Sequence, residues 1–138
     1  MERELKIDYR KSTNKIQKMH GVRNWNEMFR LENNEVDFVI RAYINNNVIG
    51  QVAVQDEWLF FLAVDSNYRN LGIGSELLNL AETEISNKHQ FVVLNVQKEF
   101  QDMLIPFYKK RGYITFRKNE KDEFEMIKEV RKWNSQKS

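Results

Sequence analysis

The sequence predicts an α/β fold built around one mixed sheet. Two segments rich in apolar residues, the continuous run Trp58–Val64 and Phe91–Val96, have the length and composition of buried strands, and the first is expected to be covered on both faces. Between them, apolar residues recur at helical spacing: Ile73, Leu77, Leu78, Ala81 and Ile85. A strand, a helix and a second strand in succession require a parallel pair within the sheet.

Composition limits the possible classes of function. The chain has 138 residues, 41% of them apolar, and its 22 basic and 20 acidic side chains nearly cancel. This length favours one domain, and the charge balance argues against a nucleic-acid binder held mainly through phosphate contacts. Cysteine is absent and only His20 and His89 are present, so we expect no metal site. Without a secretory signal or a run of roughly 18 apolar residues, we expect a cytoplasmic protein that does not bind membranes.

The N-terminal part is predicted to contain a strand, helices and a hairpin. Leu5–Tyr9 alternates apolar and polar residues, and Lys15–Leu31 has the spacing of one helix or two short ones. Val36–Tyr43 and Val48–Val54 form a hairpin across Asn45–Asn47, since asparagine tolerates the left-handed backbone that turns need.

The C-terminal part is predicted to contain two helices and a closing hairpin. The first helix runs to about Lys88, and the second ends at Gly112, which follows three basic residues. Tyr113–Arg117 and Phe124–Glu129 pair across the polar turn Lys118–Glu123. The predicted order is therefore β, α, β, β, β, α, β, α, β, β.

The loop between the first buried strand and the following helix carries the candidate chemistry. A helix N-terminus presents N–H groups and a partial positive charge, so it attracts phosphate. Gly72 and Gly74 let the backbone approach a ligand and adopt positive φ, and Arg69 supplies a planar cation suited to phosphate. The alternative is a tight turn whose glycines only permit close packing.

Two other phosphate-loop patterns do not fit this segment. A dinucleotide fingerprint needs a third glycine where Leu77 stands, and a P-loop needs a lysine where Ser75 follows Gly74. The remaining pattern is Arg-x-x-Gly-x-Gly after a hydrophobic strand.

Two motifs together resemble the GNAT superfamily of N-acetyltransferases. Leu62-Ala63-Val64 followed by Arg69-x-x-Gly72-x-Gly74 resembles its acetyl-CoA motif, and Phe107–Tyr113 resembles its second signature, F-Y-x-K-x-G-F/Y. The motifs lie on either side of the strand Phe91–Val96, and the resemblance covers about Val36–Glu129.

The resemblance implies an architecture. It is a mixed sheet splayed into a V between the fourth and fifth strands, with the cofactor in the cleft. Residues 1–138 would form one N-acetyltransferase domain, with the acceptor side in 1–35, the acetyl-CoA-binding core in 36–129 and a tail in 130–138.

The resemblance also implies how acetyl-CoA is held. The backbone of Leu62 and Val64 would pair with the pantetheine arm, the Leu62 N–H would polarise the acetyl carbonyl, and the loop amides with Arg69 would hold the pyrophosphate. The residues implied to contact acetyl-CoA are Leu62, Ala63, Val64, Arg69, Asn70, Leu71, Gly72, Ile73, Gly74, Ser75, Gln101 and Phe107.

The implied reaction is direct transfer of an acetyl group to a primary amine in a ternary complex. Tyr108 matches the family's usual proton donor; with a pKa of about 10 it is protonated at neutral pH and can protonate a thiolate. Packing beside Phe107 is the alternative for Tyr108. The family's usual base position is Trp58 here, so Asp56 and Glu57 are the nearest candidates, and strand parity puts Asp56 on the face of Trp58. Both also fit solvated strand-end charges, and a water chain is an alternative base.

The first helices of the family usually line the acceptor pocket, which implies that Trp25, Asn26 and Phe29 contact the acceptor. The acceptor is expected to be a small-molecule or peptide amine, and the protein a monomer or homodimer. Two other classes stay open: a non-catalytic acyl-CoA-binding module, and an interaction protein whose glycine loop only turns the chain.

Overall fold

The computed structural model describes residues 6–12 and 36–132. Its strands are β1 Asp8–Ser12, β2 Phe38–Ile44, β3 Asn47–Gln55, β4 Trp58–Val64, β5 Phe91–Val96, β6 Ile114–Lys118 and β7 Phe124–Glu129, and its helices are α1 Ile73–Ser86 and α2 Gln101–Lys110. Short 3₁₀ turns at Ser66–Tyr68 and Lys98–Phe100 precede the helices. The predicted helical region Lys15–Leu31, with Trp25, Asn26 and Phe29, lies outside the described residues.

The predicted element order is confirmed over the described residues, and β4, β5 and β7 have the predicted bounds. The prediction for β1 is wrong in position, because this strand is Asp8–Ser12 rather than Leu5–Tyr9. Its limits follow from antiparallel pairing with β2, in which Asp8 lies opposite Tyr43 and Ser12 opposite Val39. Alternation in a sequence identifies a strand but does not fix where its partner begins.

Contacts divide the described residues into two compact units, of which the first contains 6–12, 36–55 and Leu59–Ala81. β2 and β3 pair from Phe38 opposite Val54 to Ile44 opposite Asn47. The turn between them has left-handed backbone at Asn45 and Asn46, as predicted.

The most deeply buried strand of this unit is β3, which lies between β2 and β4 in the sheet. The expectation that β4 is covered on both faces is wrong, since the Phe60 side chain is 47% exposed. An unbroken apolar run shows that a strand lacks a polar face, but it does not show that both faces are covered.

The helix α1 has the apolar stripe that its sequence predicts. Each member of the stripe is at most 2% exposed: Ile73, Leu77, Leu78, Ala81 and Ile85. Its N-terminal half packs on β3 in the first unit, where a Cβ added to Gly50 would lie 3.0 Å from Ile73 Cγ2. A lone glycine inside a strand pattern often marks such a close approach.

The second unit contains Asp56–Trp58 and residues 82–132. Within it, Trp58 at the start of β4 pairs in parallel with Val93 of β5, and the Val93 N–H donates to the Glu57 carbonyl at 3.0 Å. β5 pairs antiparallel with β7, which pairs antiparallel with β6 across an irregularity at Phe116. The sheet order is β1-β2-β3-β4-β5-β7-β6, so the predicted mixed sheet with a parallel step is confirmed. No helix within the described ranges is long and apolar enough to cross a membrane.

Candidate functional site

The loop after β4 begins with a hydrogen-bond network around Asp65. This residue is 8% exposed, its carboxylate accepts the Asn67 N–H at 2.8 Å, and its own N–H donates to the Ile49 carbonyl at 2.7 Å. The carboxylate thus caps the turn Ser66–Tyr68, as aspartate commonly does at helix starts. The end of β4 is fixed to β3 before the loop leaves the sheet. Asp65 is not among the residues predicted from the sequence, although an aspartate just ahead of Ser-Asn is a recognisable capping signal.

The next residues of the loop have left-handed backbone. Asn70 has φ of 64° and Gly72 has φ of 80°. Irregular backbone of this kind can direct successive N–H groups towards one anion. A Cβ added to Gly72 would have no atom of the described residues within 4 Å, so this position opens into space. Positive φ is therefore found at Gly72 as predicted, but not at Gly74, which already lies in the first turn of α1.

The loop runs directly into the N-terminus of α1. The first helical hydrogen bond runs from the Glu76 N–H to the Gly72 carbonyl at 3.0 Å. The amides of Ile73, Gly74 and Ser75 precede that bond, at the end of the helix that carries about half a positive charge. The residues predicted to hold pyrophosphate therefore form one continuous backbone segment.

Arg69 adds a side-chain cation to this segment. Its Nε donates to the Val64 carbonyl at 3.3 Å, and the side chain is exposed. The bond connects the guanidinium to the last residue of β4. Leu62, Ala63 and Val64, predicted to contact pantetheine, are half-buried in the strand that leads into the loop. With its N–H groups, helix end and guanidinium, the segment is chemically suited to an anion of phosphate size.

The second motif lies at the end of α2, in the second unit. Gly112 has φ of 97°, its N–H donates to the Lys109 carbonyl at 3.1 Å, and the Tyr113 N–H donates to the Tyr108 carbonyl at 3.1 Å. These two bonds and the left-handed glycine form a Schellman C-cap. The predicted helix end at Gly112 is confirmed, and the cap ties the backbone of Tyr113 to that of Tyr108.

The Tyr108 side chain is 6% exposed and is flanked by aromatic rings. The centroid of its ring lies 5.2 Å from that of Phe107 and 5.5 Å from that of Tyr113, both in edge-on geometry. Burial raises the pKa of Tyr108 above its usual value, while the charge of Arg111 partly opposes this shift. The hydroxyl is therefore protonated throughout the neutral range, and it is a weaker acid than a free tyrosine.

Arg111 contacts Phe107, whose ring packs against Tyr108. Its guanidinium carbon lies 3.8 Å from the centre of the Phe107 ring, and Nη1 donates to the Phe107 carbonyl at 2.9 Å. A basic side chain that bonds the last carbonyls of a helix is a common C-terminal arrangement.

Tyr113 connects this motif to a buried ionic group. Its hydroxyl donates to Glu82 Oε2 at 2.8 Å, and Lys128 Nζ donates to Glu82 Oε1 at 2.9 Å. Glu82 is 8% exposed and Tyr113 is 2% exposed. Burial, followed by the charge and hydrogen bond of Glu82, raises the pKa of Tyr113. This group is not apparent from the sequence, because each member, taken alone, has the pattern of a solvated charge or a core aromatic.

Gln101 and the candidate bases occupy other parts of the second unit. Gln101 Nε2 donates to the Asp122 carbonyl at 2.9 Å. Glu57 Oε2 lies 3.6 Å from His89 Nδ1. Asp56 has φ of 54° in the turn between β3 and β4. The prediction that strand alternation puts Asp56 on the face of Trp58 is therefore wrong, because Asp56 lies outside β4. The roles of Asp56 and Glu57 stay predictions.

A family model for the acetyltransferase (GNAT) family matches residues 3–113 of this chain. The match includes β1–β5, the loop after β4, both helices and Tyr113. A search of curated protein sequences finds no match.

Solved structures of similar fold include several acetyltransferases. An aminoglycoside 6'-acetyltransferase type Ii is 21% identical with a TM-score of 0.62, over 70% of this chain and 71% of that chain. The ribosomal-protein-S18-alanine N-acetyltransferase from Escherichia coli is 20% identical with a TM-score of 0.59, over 70% of this chain and 71% of that chain.

The PaiA N-acetyltransferase from Thermoplasma acidophilum, solved in complex with coenzyme A, is 24% identical with a TM-score of 0.56, over 66% of this chain. The chain spans 59% of that protein, less than two thirds of its length. At these identities the likeness establishes the fold.

Proposed function

We propose, since the chain belongs to the acetyltransferase (GNAT) family, that it transfers the acetyl group of acetyl-CoA to a primary amine by direct attack in a ternary complex. The observation that carries this proposal is the loop between β4 and α1. There, left-handed Asn70 and Gly72 lead into the N-terminus of a 14-residue helix. A pyrophosphate is the anion that such a backbone segment suits.

The loop would hold the donor through its pyrophosphate. The amides from Asn70 to Ser75 would donate to phosphate oxygens, and Arg69 would add a charged donor. The backbone of Leu62 and Val64 would pair with the pantetheine arm as an added strand, leaving the Leu62 N–H to polarise the acetyl carbonyl. The fold relative from Thermoplasma acidophilum, solved with coenzyme A, supports this choice of donor.

Residues of α2 would contact the remainder of the donor. The Gln101 amide nitrogen already donates to the Asp122 carbonyl. Its side-chain oxygen is the atom that would accept a hydrogen bond from a pantetheine amide. Phe107, half-buried beneath Arg111, would offer an apolar surface to the same arm.

The reaction forms one C–N bond and breaks one C–S bond. The neutral amine attacks the thioester carbonyl carbon, and the departing coenzyme A sulfur takes a proton from Tyr108. The amine loses one proton to a base, which a water chain, Asp56 or Glu57 would supply. Because burial raises its pKa, Tyr108 holds its proton at the pH at which the amine reacts.

The acceptor is proposed to be a small-molecule or peptide amine that contacts Trp25, Asn26 and Phe29. A thiol-release assay with acetyl-CoA tests this, using spermidine, kanamycin, free lysine and a peptide with an N-terminal alanine. The amine that releases thiol fastest defines the acceptor class.

Donor binding is tested separately by thermal unfolding and calorimetry with acetyl-CoA. At 100 times its Kd, the ligand should add about 2.7 kcal/mol to the free energy of unfolding. No stabilisation at millimolar acetyl-CoA would contradict the proposal. Binding without thiol release for any amine would instead favour a non-catalytic acyl-CoA-binding module.

A further inference from the structure

Tyr113 is held against Tyr108 by both backbone and side chain. The Schellman cap joins the Tyr113 N–H to the Tyr108 carbonyl at 3.1 Å. The two rings meet edge-on, with an interplanar angle of 67°. Phe107 packs against Tyr108 at an interplanar angle of 85°. Two aromatic neighbours in fixed edge-on geometry restrict rotation of the Tyr108 ring.

The Tyr113 ring is itself fixed by Glu82. This carboxylate, buried on α1, accepts one hydrogen bond from the Tyr113 hydroxyl and one from Lys128 Nζ of β7. A buried carboxylate without such donors would be strongly destabilising, so the two hydrogen bonds compensate the burial of Glu82. Glycine at position 112 leaves room for the Lys128 side chain, because a Cβ there would lie 3.2 Å from Lys128 Cε.

We propose that Tyr113 is a positioning residue for Tyr108: Glu82 fixes the Tyr113 hydroxyl, and the Tyr113 ring holds Tyr108 in its reactive orientation. This inference rests on the proposed function, in which the Tyr108 hydroxyl protonates the leaving sulfur. Displacement of a reacting group by about 1 Å can lower a rate by about 10²-fold, so control of this ring matters. The charged groups that face the tyrosine pair are Glu82 of α1, Lys128 of β7 and Arg111 at the end of α2.

A purely structural contact has a different signature. A hydrophobic contact between the residue after the C-cap glycine and the last helical turn is common in Schellman caps. Such packing would stabilise the fold, but its loss would affect the rate equally whether or not Tyr108 carries a hydroxyl.

A double-mutant cycle on the single-turnover rate separates the two roles. The full chain is compared with Tyr113→Leu, Tyr108→Phe and the double variant, using acetyl-CoA and the best amine from the thiol-release assay. Tyr113→Leu should lower the rate about tenfold when Tyr108 is present, and less than about twofold in the Tyr108→Phe background. The Kd for acetyl-CoA should stay within about twofold of the original in each variant. Equal losses in the two backgrounds would overturn the positioning role.

Tyr113→Phe provides the same cycle if the leucine variant does not fold, because it keeps the ring and removes only the bond to Glu82. Glu82→Gln, which retains an oxygen to accept the Tyr113 hydroxyl, should be faster than Glu82→Ala, and equal rates for these two would contradict the inference. Phe116→Leu is the matched control on β6, where the side chain is 43% exposed, and it should not change the rate. An unchanged single-turnover rate in Tyr108→Phe would refute both the assignment of Tyr108 and its positioning. Loss of coupling alone would refute only the positioning.

Discussion

Gly50 of β3 lies directly against Ile73, the first residue of α1: a Cβ on Gly50 would be 3.0 Å from Ile73 Cγ2. The same atom would lie 3.0 Å from Leu77 Cδ1 and 3.4 Å from the Ala63 carbonyl oxygen. The helix therefore approaches the sheet so closely that any side chain at residue 50 would push against Ile73 and Leu77. Because α1 begins at this contact, Gly50 sets the position of the helix N-terminus relative to the end of β4.

Replacing Gly50 with alanine should therefore affect both stability and donor binding. Overpacking of this kind typically costs about 1–3 kcal/mol of the free energy of unfolding, which urea denaturation measures. Acetyl-CoA should also bind more weakly in calorimetry, because the start of α1 must move. Ala53→Gly, at a fully buried position of β3, is the matched control: it should lose stability and keep its affinity. An unchanged Kd in Gly50→Ala would show that this contact does not position the site.

The phosphate assignment of the loop is tested at Gly72. Left-handed backbone costs an ordinary side chain roughly 1–2 kcal/mol, so Gly72→Ala should lower the free energy of unfolding by about that amount. Asparagine adopts this conformation more readily, so Gly72→Asn should be more stable than Gly72→Ala. Both variants should bind acetyl-CoA weakly, because either Cβ occupies space that the proposal gives to the pyrophosphate. A stable Gly72→Asn with the original Kd would place the phosphates elsewhere.

Arg69 provides a test of which part of the donor the loop contacts. A hydrogen bond to a charged group contributes about 1.5–3 kcal/mol, so Arg69→Gln should weaken acetyl-CoA binding by about 10–100-fold. The affinity for S-acetylpantetheine, which lacks the pyrophosphate, should not change. Arg10→Gln on β1 is the matched control and should leave both affinities as they are. Equal losses for the two ligands would contradict a pyrophosphate contact.

Much of the fold could be predicted because the relevant signals are local. The bounds of β4 follow from an unbroken apolar run and those of β5 from a run interrupted only by Asn95. The C-cap of α2 follows from Gly112 after three basic residues. The sequence pattern places β1 too early, because the limits of this strand depend on β2, a partner distant in sequence. The exposure of Phe60 could not be read from its run, since burial depends on what covers each face.

In the candidate site too, the part formed by neighbouring residues could be predicted, and the part formed by residues distant in sequence could not. The loop from Arg69 to Ser75 is contiguous, so its motif was visible in the sequence. The contact between Glu82, Tyr113 and Lys128 joins α1, the connection between α2 and β6, and β7, and no spacing rule connects these residues. Gly50 did carry a signal, a lone glycine within a strand, but the sequence does not say what approaches it.

The raised pKa of Tyr113 predicts a loss of stability in alkaline solution. An unfolded tyrosine loses its proton near pH 10, whereas folded Tyr113 keeps it to higher pH. Above about pH 10 the folded state therefore binds more protons, and the free energy of unfolding falls by up to about 1.4 kcal/mol per pH unit for this group. Tyr113→Phe should make this fall less steep in urea denaturation between about pH 10 and 11. Tyr43→Phe on β2 is the control, and an identical slope in Tyr113→Phe and the unaltered chain would contradict the prediction.

The hydroxyl of Tyr108 is the group on which the proposed reaction depends most directly. Tyr108→Phe keeps the ring between Phe107 and Tyr113 and removes only the proton donor, so packing and proton transfer are separated. General acid catalysis is typically worth about 10²–10⁴-fold, and the single-turnover rate should fall within that range. Steady-state turnover alone is insufficient, because slow product release would mask a loss in the chemical step.

Three further measurements decide whether the hydroxyl acts on the leaving sulfur. The Kd for acetyl-CoA should change little in Tyr108→Phe, because the proton is needed only as charge develops on sulfur. Burial raises the pKa of Tyr108, so the unaltered chain should show no loss of rate from ionisation of this residue up to about pH 10. A thioester whose leaving thiol is more acidic needs less help from a proton donor. The rate deficit of Tyr108→Phe should therefore shrink when such a thioester replaces acetyl-CoA. A deficit that is independent of the leaving group would contradict proton donation to the sulfur, because a proton donor responds to the basicity of the sulfur it protonates.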